Sequence, residues 1–470
     1  MRKIIFSTTI LFSMVFGSCA DFTDIQPKGY NLLNRAEDLD LLLNFHYNQG
    51  YNLVRTVAIS NGMLPYNILT PIPTLFKQEV KTLAYALTFW DETVDRAELT
   101  ASDGIYQEIY RIVGQIANPI LTYAGIATGS QILLNRIKAE AYVLRAWHHY
   151  LAVNIFAKAY NPATAATDGG VPYLHETTLM STPAKKYTVQ EVYDFILADL
   201  DAALSISELP NEGINTMRMG RSFAYAVKAK ALMSMRRYDE ALAAARASLA
   251  INNHVDNHNN MISTGSFSRP LHSSKEDLFV TTTSASWFAF SNEMIALFDP
   301  DAVLFHYMPL SATAWSMYGI PGLRVWDPGF TVATFSGAGI TTVDMHLVEA
   351  ECLLRSAQLL QAKAKIEEIR KNRILTDRYA PSPASTKAEL FALLKQVWRS
   401  DNFVTFKDLI HLKRWNTETE FAETHTRTLT WDEGGVPVTR TFTLRPDSPL
   451  WVYPFPQTAT LYNPNLTQNY

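Results

Sequence analysis

The stretch that most limits the fold is residues 131–157, QILLNRIKAEAYVLRAWHHYLAVNIFA. Ile137, Ala141, Leu144, His148, Leu151 and Ile155 recur at alternating steps of four and three, the spacing of one helix face. Ala139, Tyr142, Ala146 and Val153 form a second stripe. A helix with two apolar faces has to be covered on both sides, so this one is expected at the centre of the body.

Other segments supply the cover. RAEDLDLLLNFHY opens one helix, and IYQEIYRIVGQIANPILTYA reads as another. Thr188-Val-Gln-Glu191 is a capping box, in which the Thr hydroxyl and the Glu carboxylate meet exposed backbone N–H groups. The helix it opens carries Val192, Ile196, Leu200 and Ala203 on one face. Residues 224–251 read as two short helices split by a turn at Arg236–Tyr238, with alanines at 229, 231, 241 and 245 allowing close packing. They resemble a tetratricopeptide helical pair. A second copy lies at 350–369, where a shift of 121 residues places Ala350 on Ala229, Leu359 on Tyr238 and Ala362 on Ala241. The two copies are not in tandem, so helical pairs frame a body with other material inserted.

That other material is residues 252–343, rich in Ser, Thr, Gly, Pro and aromatics and weak in helical periodicity. Residues 59–76 hold Pro65, Pro71 and Pro73 and read as a long loop. Asp168-Gly169-Gly170 reads as a turn. The tail, 426–470, contains β-like runs such as VPVTRTFTL. The expected fold class is mostly α, with tetratricopeptide-like helical pairs framing a loop-rich ligand-binding region and few short β-strands. Loops on a rigid frame are where binding residues usually sit.

The 470-residue chain is 47% hydrophobic and carries a net charge of -4, so nothing global attracts it to nucleic acid. Its two cysteines, Cys19 and Cys352, cannot make a disulfide scaffold, and Cys352 reads as a small buried hydrophobe. The N-terminus has the parts of an export signal: Arg2 and Lys3, an apolar run from Ile4 to Phe16, then Gly17-Ser18-Cys19. Cys19 fits a bacterial lipobox, although Phe16 stands where Leu, Val or Ile is usual. An ordinary signal peptide with a nearby cysteine is the other reading. Residues 20–35 are polar, with Pro27 and Gly29, as a tether should be. No other run is long and apolar enough for a transmembrane helix.

Common catalytic signatures are absent: there is no HExxH, GxSxG, phosphate loop, dinucleotide fingerprint or CxxC pair. His254, Asp256 and His258 have a spacing that could ligate a metal, but a solvated loop explains them as well, and no metal site is assigned. His148 and His149 are adjacent on a helix and face different ways, which suits packing. Asp299 and Asp301 could be the paired acids of a glycoside hydrolase or lyase, which needs two carboxylates across a cleft. No catalytic residue is assigned. Aromatics in the insertion are more suggestive. Trp287, Trp315, Tyr318 and Trp326, with Tyr66 in the early proline-rich loop, are the candidate ligand-binding residues. Their rings could stack on the apolar faces of sugars. Nucleobases could stack too, but the basic track that phosphates need is missing. Rings of this kind also fill small cores under long loops.

The ordered set of segments resembles the SusD/RagB family of outer-membrane lipoproteins from Bacteroidetes. The resemblance rests on the lipobox with DIQPKG, RIKAEAYVLRAWHHYLAVNIFA, DGGVPYL, YTVQEVYDFILADLDAAL, TTVDMHLVEAECLLRSAQ with IEEIRKNR, FKDLIHLKRW, and the terminal LWVYPFPQTATLYNPNLTQNY. One departure is the lack of a Glu-Gly before the segment ending in Arg414-Trp415. The resemblance implies a SusD-like fold with four tetratricopeptide-like pairs and a non-enzymatic role. It also implies a lipid on Cys19 and no other cofactor, with surface exposure at the cell outer membrane. The implied partner is a SusC-like, TonB-dependent transporter, to which the protein delivers glycan fragments or, in some members, peptides. The implied division is a signal peptide over 1–18, a lipidated tether over 19–35, a helical region over 36–251, and a C-terminal region over 252–470 that includes the insertion.

Overall fold

The computed structural model describes residues 33–45, 63–64, 71–179, 181–263, 266–267, 269, 274–281, 288–306, 319–321, 323–326, 339–403, 405 and 407–470. In chain order the first elements are α1 (Ala36–Leu42), β1 (Met63–Leu64), α2 (Ile72–Lys77) and α3 (Leu83–Phe89). Then come α4 (Gly104–Ile112), a π-helical turn (Val113–Ala117) and α5 (Asn118–Tyr123). The long α6 (Gln131–Phe156) leads to β2 (Gly169–Pro172), β3 (Lys186–Thr188) and α7 (Val189–Ser205). A helical pair follows, α8 (Arg221–Ser234) and α9 (Tyr238–Ile251). The insertion holds β4 (Ile262–Ser263), β5 (Ser266–Phe267), β6 (Asp277–Phe279), β7 (Phe288–Phe290), α10 (Asn292–Leu297), α11 (Val303–His306), β8 (Arg324–Trp326) and β9 (Ile340–Thr341). The chain closes with α12 (Thr342–Arg355), α13 (Leu359–Arg373), α14 (Lys387–Asp401), α15 (Lys407–Asn416), β10 (His425–Asp432), β11 (Pro437–Leu444) and α16 (Gln457–Thr460). Helix dominates and most strands are two to four residues long, a mostly α fold as expected.

α6 is the central rod. Ser130 caps its start by accepting from the Leu133 N–H. Both predicted stripes are buried except at Tyr142, which is half-buried. The last carbonyls of a helix have no partner within it. Here other segments satisfy them: Tyr453 N–H donates to Ile155 O (3.0 Å), Asn469 Nδ2 to Phe156 O (2.7 Å), and Lys413 Nζ to Asn154 O and Ala157 O (2.5 and 2.7 Å). A cation at this end also meets the negative pole of the helix dipole.

The capping box at Thr188 is complete. Glu191 N–H donates to Thr188 Oγ1 (3.2 Å), and Thr188 N–H donates to Glu191 Oε2 (2.8 Å). The displaced repeat is equally visible. α9 begins at Tyr238 and α13 at Leu359, positions 121 apart. Arg236 and Ala357, also 121 apart, both have φ of +60°. In each turn the next N–H reaches back to a carbonyl of the preceding helix, Arg237 to Leu232 (2.9 Å) and Gln358 to Leu353 (2.8 Å). This left-handed closure of a helix end is normally made with glycine. Cys352 is buried, with Sγ 3.4 Å from Met233 Sδ of the other pair.

Three expectations change. Gly169 and Gly170 belong to β2, and the turn comes before them. Gly170 serves close approach: a Cβ there would lie 2.8 Å from Tyr187 O of the neighbouring strand. The loop predicted over 59–76 ends in α2, because Pro73 falls in the first helical turn, where a missing N–H costs nothing. The helix predicted through 105–124 carries a π turn just before Pro119, whose lack of an N–H interrupts the regular ladder.

One continuous hydrophobic core runs from Ala36 to Leu466 and crosses residue 251. A second, smaller core gathers Ile72, Leu75, Tyr85, Phe89, Ala289, Ile320, Leu429 and Trp431. Among the described residues no helix is long and apolar enough to cross a membrane.

Candidate functional site

Three segments far apart in sequence meet in one small antiparallel sheet. β7 is its middle strand. Met63 and Leu64 of β1 pair with Phe290 and Ala289, while Arg324, Val325 and Trp326 of β8 pair with Phe290, Ala289 and Phe288. Of the candidate ligand residues, Trp326 is the last residue of β8. Trp287 directly precedes β7 in sequence, and Tyr66 follows β1 by two positions. Facing residues of such a pair stand roughly 5 Å apart. Trp326 is described through its strand pairing alone, and Tyr66, Trp287, Trp315, Tyr318 and the lipid-site candidate Cys19 lie outside the described residues.

Gly319 follows Tyr318 and has φ of +69°. A Cβ there would meet Pro73 Cδ at 3.0 Å and Pro71 Cβ at 3.1 Å. Both the conformation and the contact require glycine. This fixes the end of the TAWSMYG segment against the start of α2.

The sheet rests on the second core, whose rings come from the frame. Phe76 packs on Phe89 and Trp431 with centroids 5.2 and 5.3 Å apart, and Phe89 packs on Tyr85 (4.8 Å) and Phe442 (5.0 Å). Trp431 and Phe442 project from the β10–β11 hairpin, whose buried positions alternate with exposed ones along β10. Aromatic pairs add roughly 0.5–1.5 kcal/mol each beyond their buried area. Here they brace the platform under the loops.

The insertion and the C-terminal helices also line a cavity of about 90 Å³, room for a few water molecules. Phe298, Leu304, Ile374 and Val397 make an apolar wall, and Arg269, Glu276, Asp277, Arg373 and Asp401 make a charged one. The charges are matched. Arg373 bonds Asp401 (2.6 Å) and Glu276 (3.0 Å), and Arg269 bonds Asp277 (2.9 Å). Burial nonetheless pushes the Asp277 carboxyl up to about 6, against the pull of Arg269. Its Oδ2 is buried with no hydrogen-bond partner. Sequence reasoning missed these five charged residues, because a charge gives no sign of its own burial.

The other sequence candidates are placed clearly. Asp299 Oδ1 accepts from the Asp301 N–H (3.0 Å) and Oδ2 from Arg370 (3.2 Å), so the two aspartates share one tight turn. Asp301 Oδ1 lies 3.9 Å from His306. His254 meets Asp256 at 3.1 Å, Asp256 is taken by Arg269 (3.2 Å), and His258 packs edge-on to Phe267 (4.9 Å). Among the described residues no three His, Cys, Asp or Glu side chains are grouped to hold a metal. His148 and His149 each bond the carbonyl four residues back, and His149 stacks on Tyr173 (3.7 Å).

Residues 71–233 match a SusD-like family described as "Starch-binding associating with outer membrane". Solved structures resemble the chain over nearly its whole length. A SusD superfamily protein from Bacteroides thetaiotaomicron has a TM-score of 0.68 at 17% identity, covering 93% of this chain and 100% of that one. A SusD-like carbohydrate binding protein from Bacteroides vulgatus has a TM-score of 0.65 at 14% identity, covering 92% and 97%. Surface glycan-binding protein A from Bacteroides uniformis has a TM-score of 0.61 at 14% identity, covering 92% and 99%. At these identities the likeness is one of fold. No curated protein matches the sequence.

Proposed function

We propose that this chain, which belongs to the SusD/RagB family, is a non-enzymatic surface lipoprotein of the outer membrane. In this reading it binds glycan fragments and delivers them to a SusC-like, TonB-dependent transporter. The observation that carries the proposal is the β1–β7–β8 sheet. It joins 63–64, 288–290 and 324–326, segments that neighbour or contain Tyr66, Trp287 and Trp326 in the sequence, on a SusD-like frame.

The physics of each part is ordinary. Cys19 carries the lipid, and the residues up to Arg35 are the tether. The frame is a rigid face for the barrel. Trp315, Tyr318, Trp326, Trp287 and Tyr66 supply stacking surfaces, and neighbouring polar groups take the hydroxyls. Ligand must bind the closed lid more tightly than the open one, since only differential affinity shifts that equilibrium.

The test is calorimetry of the full mature chain against panels of oligosaccharides and of extended peptides. Oligosaccharides are expected to bind. Trp315→Ala should weaken that binding about tenfold, the order of one lost aromatic contact, with an unchanged circular dichroism spectrum. Binding of peptides alone would replace the glycan in this reading. Turnover of a polysaccharide by the pure protein, lost on changing Asp299 or Asp301, would sink it. Co-purification with an outer-membrane transporter from solubilised membranes checks the partner.

A further inference from the structure

A second cleft, of about 450 Å³, is built from other segments: the loop leaving α6, the end of α15, and residues 446–452. Its floor is Lys413, only 3% exposed. An ammonium has three N–H donors. Two of these go to Asn154 O and Ala157 O, which leaves one. Three other buried cations of this protein meet buried carboxylates, Arg218 with Glu140, Lys407 with Asp344 and Arg414 with Glu351, while Arg96 meets the carbonyls of Val452 and Pro449. Lys413 meets only carbonyl dipoles among the described residues, and a buried charge without a counter-ion is costly. Burial pushes its ammonium down to about 7.

Asn416 lies one helical turn further along α15, on the same face. It also lines the cleft, and its Nδ2 is buried with no hydrogen-bond partner. The side-chain acids of the cleft are already matched, Asp168 by Lys158 (3.7 Å) and Asp447 by Arg445 (3.2 Å). What remains uncommitted is therefore a cation and an amide donor side by side. Tyr470 borders the same cleft, with Arg96 stacked on its ring at 4.2 Å. The volume falls in the range of small-molecule sites.

We propose that this cleft binds a carboxylate-bearing sugar, with the acid on the Lys413 ammonium and the Asn416 amide and the sugar face toward Tyr470. The carboxylate could belong to a free sugar acid or to the acidic end of an oligosaccharide. The site does not depend on the loop platform, so either reading can fail alone.

The experiment is calorimetric titration of the full mature chain with glucuronate, glucose, and an oligosaccharide ending in glucuronate. Glucuronate should bind at least about tenfold more tightly than glucose, the order of one charge-assisted hydrogen bond. A stronger response to the free acid or to the oligosaccharide identifies the source. Lys413→Met should remove the preference for the acid, and Asn416→Ala should reduce it several-fold. Lys413 also closes the end of α6, so a Lys413→Met chain that fails to fold leaves the decision to Asn416→Ala. Equal binding of glucose and glucuronate overturns the proposal. So does glucuronate binding that no folded variant changes.

Discussion

Glu351 gives a quantitative test of how the second helical pair is locked to α15. It is fully buried on α12. Arg414 of α15 grips both its oxygens (2.7 and 2.6 Å), and Arg355 donates to Oε1 at 2.8 Å. Burial alone would raise this carboxyl, but the charges of Arg414 and Arg355 outweigh it and hold it at about 2, against an ordinary 4.5. A carboxyl held that far below its ordinary value contributes roughly 3 kcal/mol of stability. Removing one partner of a buried ion pair costs about 3–5 kcal/mol by general experience. The sign follows from the direction of the shift. The contribution is complete above about pH 4.5 and is lost as pH falls toward 2, with less than half remaining near pH 3. Glu351→Gln keeps the shape and removes the charge. Urea unfolding, followed by tryptophan fluorescence, should show a loss of roughly 3 kcal/mol at pH 7 and a clearly smaller loss at pH 3. Adding Arg414→Met should recover part of it, because the unpaired guanidinium is removed as well. A loss below about 1 kcal/mol at pH 7, an equal loss at both pH values, or additive single changes would refute this account.

Four further outcomes are expected. Ala357→Gly should raise the urea midpoint by about 0.5–1 kcal/mol in stability, since it relieves a left-handed backbone at an exposed site. Arg236→Gly relieves the same conformation but loses the bonds from its guanidinium to Thr417 O and Oγ1 (both 2.7 Å), so its midpoint should fall. Thr188→Ala opens the capping box of α7 and should cost about 1 kcal/mol in the same assay. Cys19→Ala should abolish incorporation of labelled palmitate and release the protein from washed membranes, and retained label would place the lipid elsewhere.

Much of the helical frame was legible in the sequence. The stripes of α6, the Thr188 box and the 121-residue offset between Tyr238 and Leu359 all appear where the sequence places them. Each depends on residues three or four apart, because helical hydrogen bonds and side-chain neighbours are local. The glycines at 169 and 170 were misplaced because a glycine that allows close approach looks the same in sequence as one that allows a turn. The candidate region was only half legible. Aromatic enrichment marked the insertion, but nothing in the sequence signalled that 63–64, 288–290 and 324–326 form one sheet. Strands of two or three residues are too short to carry a period.

The sequence by itself determined α6, α7, their buried faces and the kinship of the two helical pairs, since each is written in short-range spacing. Tertiary structure alone decided which charge meets which. Glu351 and Arg414 stand 63 positions apart yet share two hydrogen bonds, and Lys413, the neighbour of Arg414, finds no acid among the described residues. Adjacent positions on a helix point about 100° apart, so two neighbouring cations can end in opposite surroundings. One is paired and locks the fold, and the other is left as an uncommitted charge in a cleft.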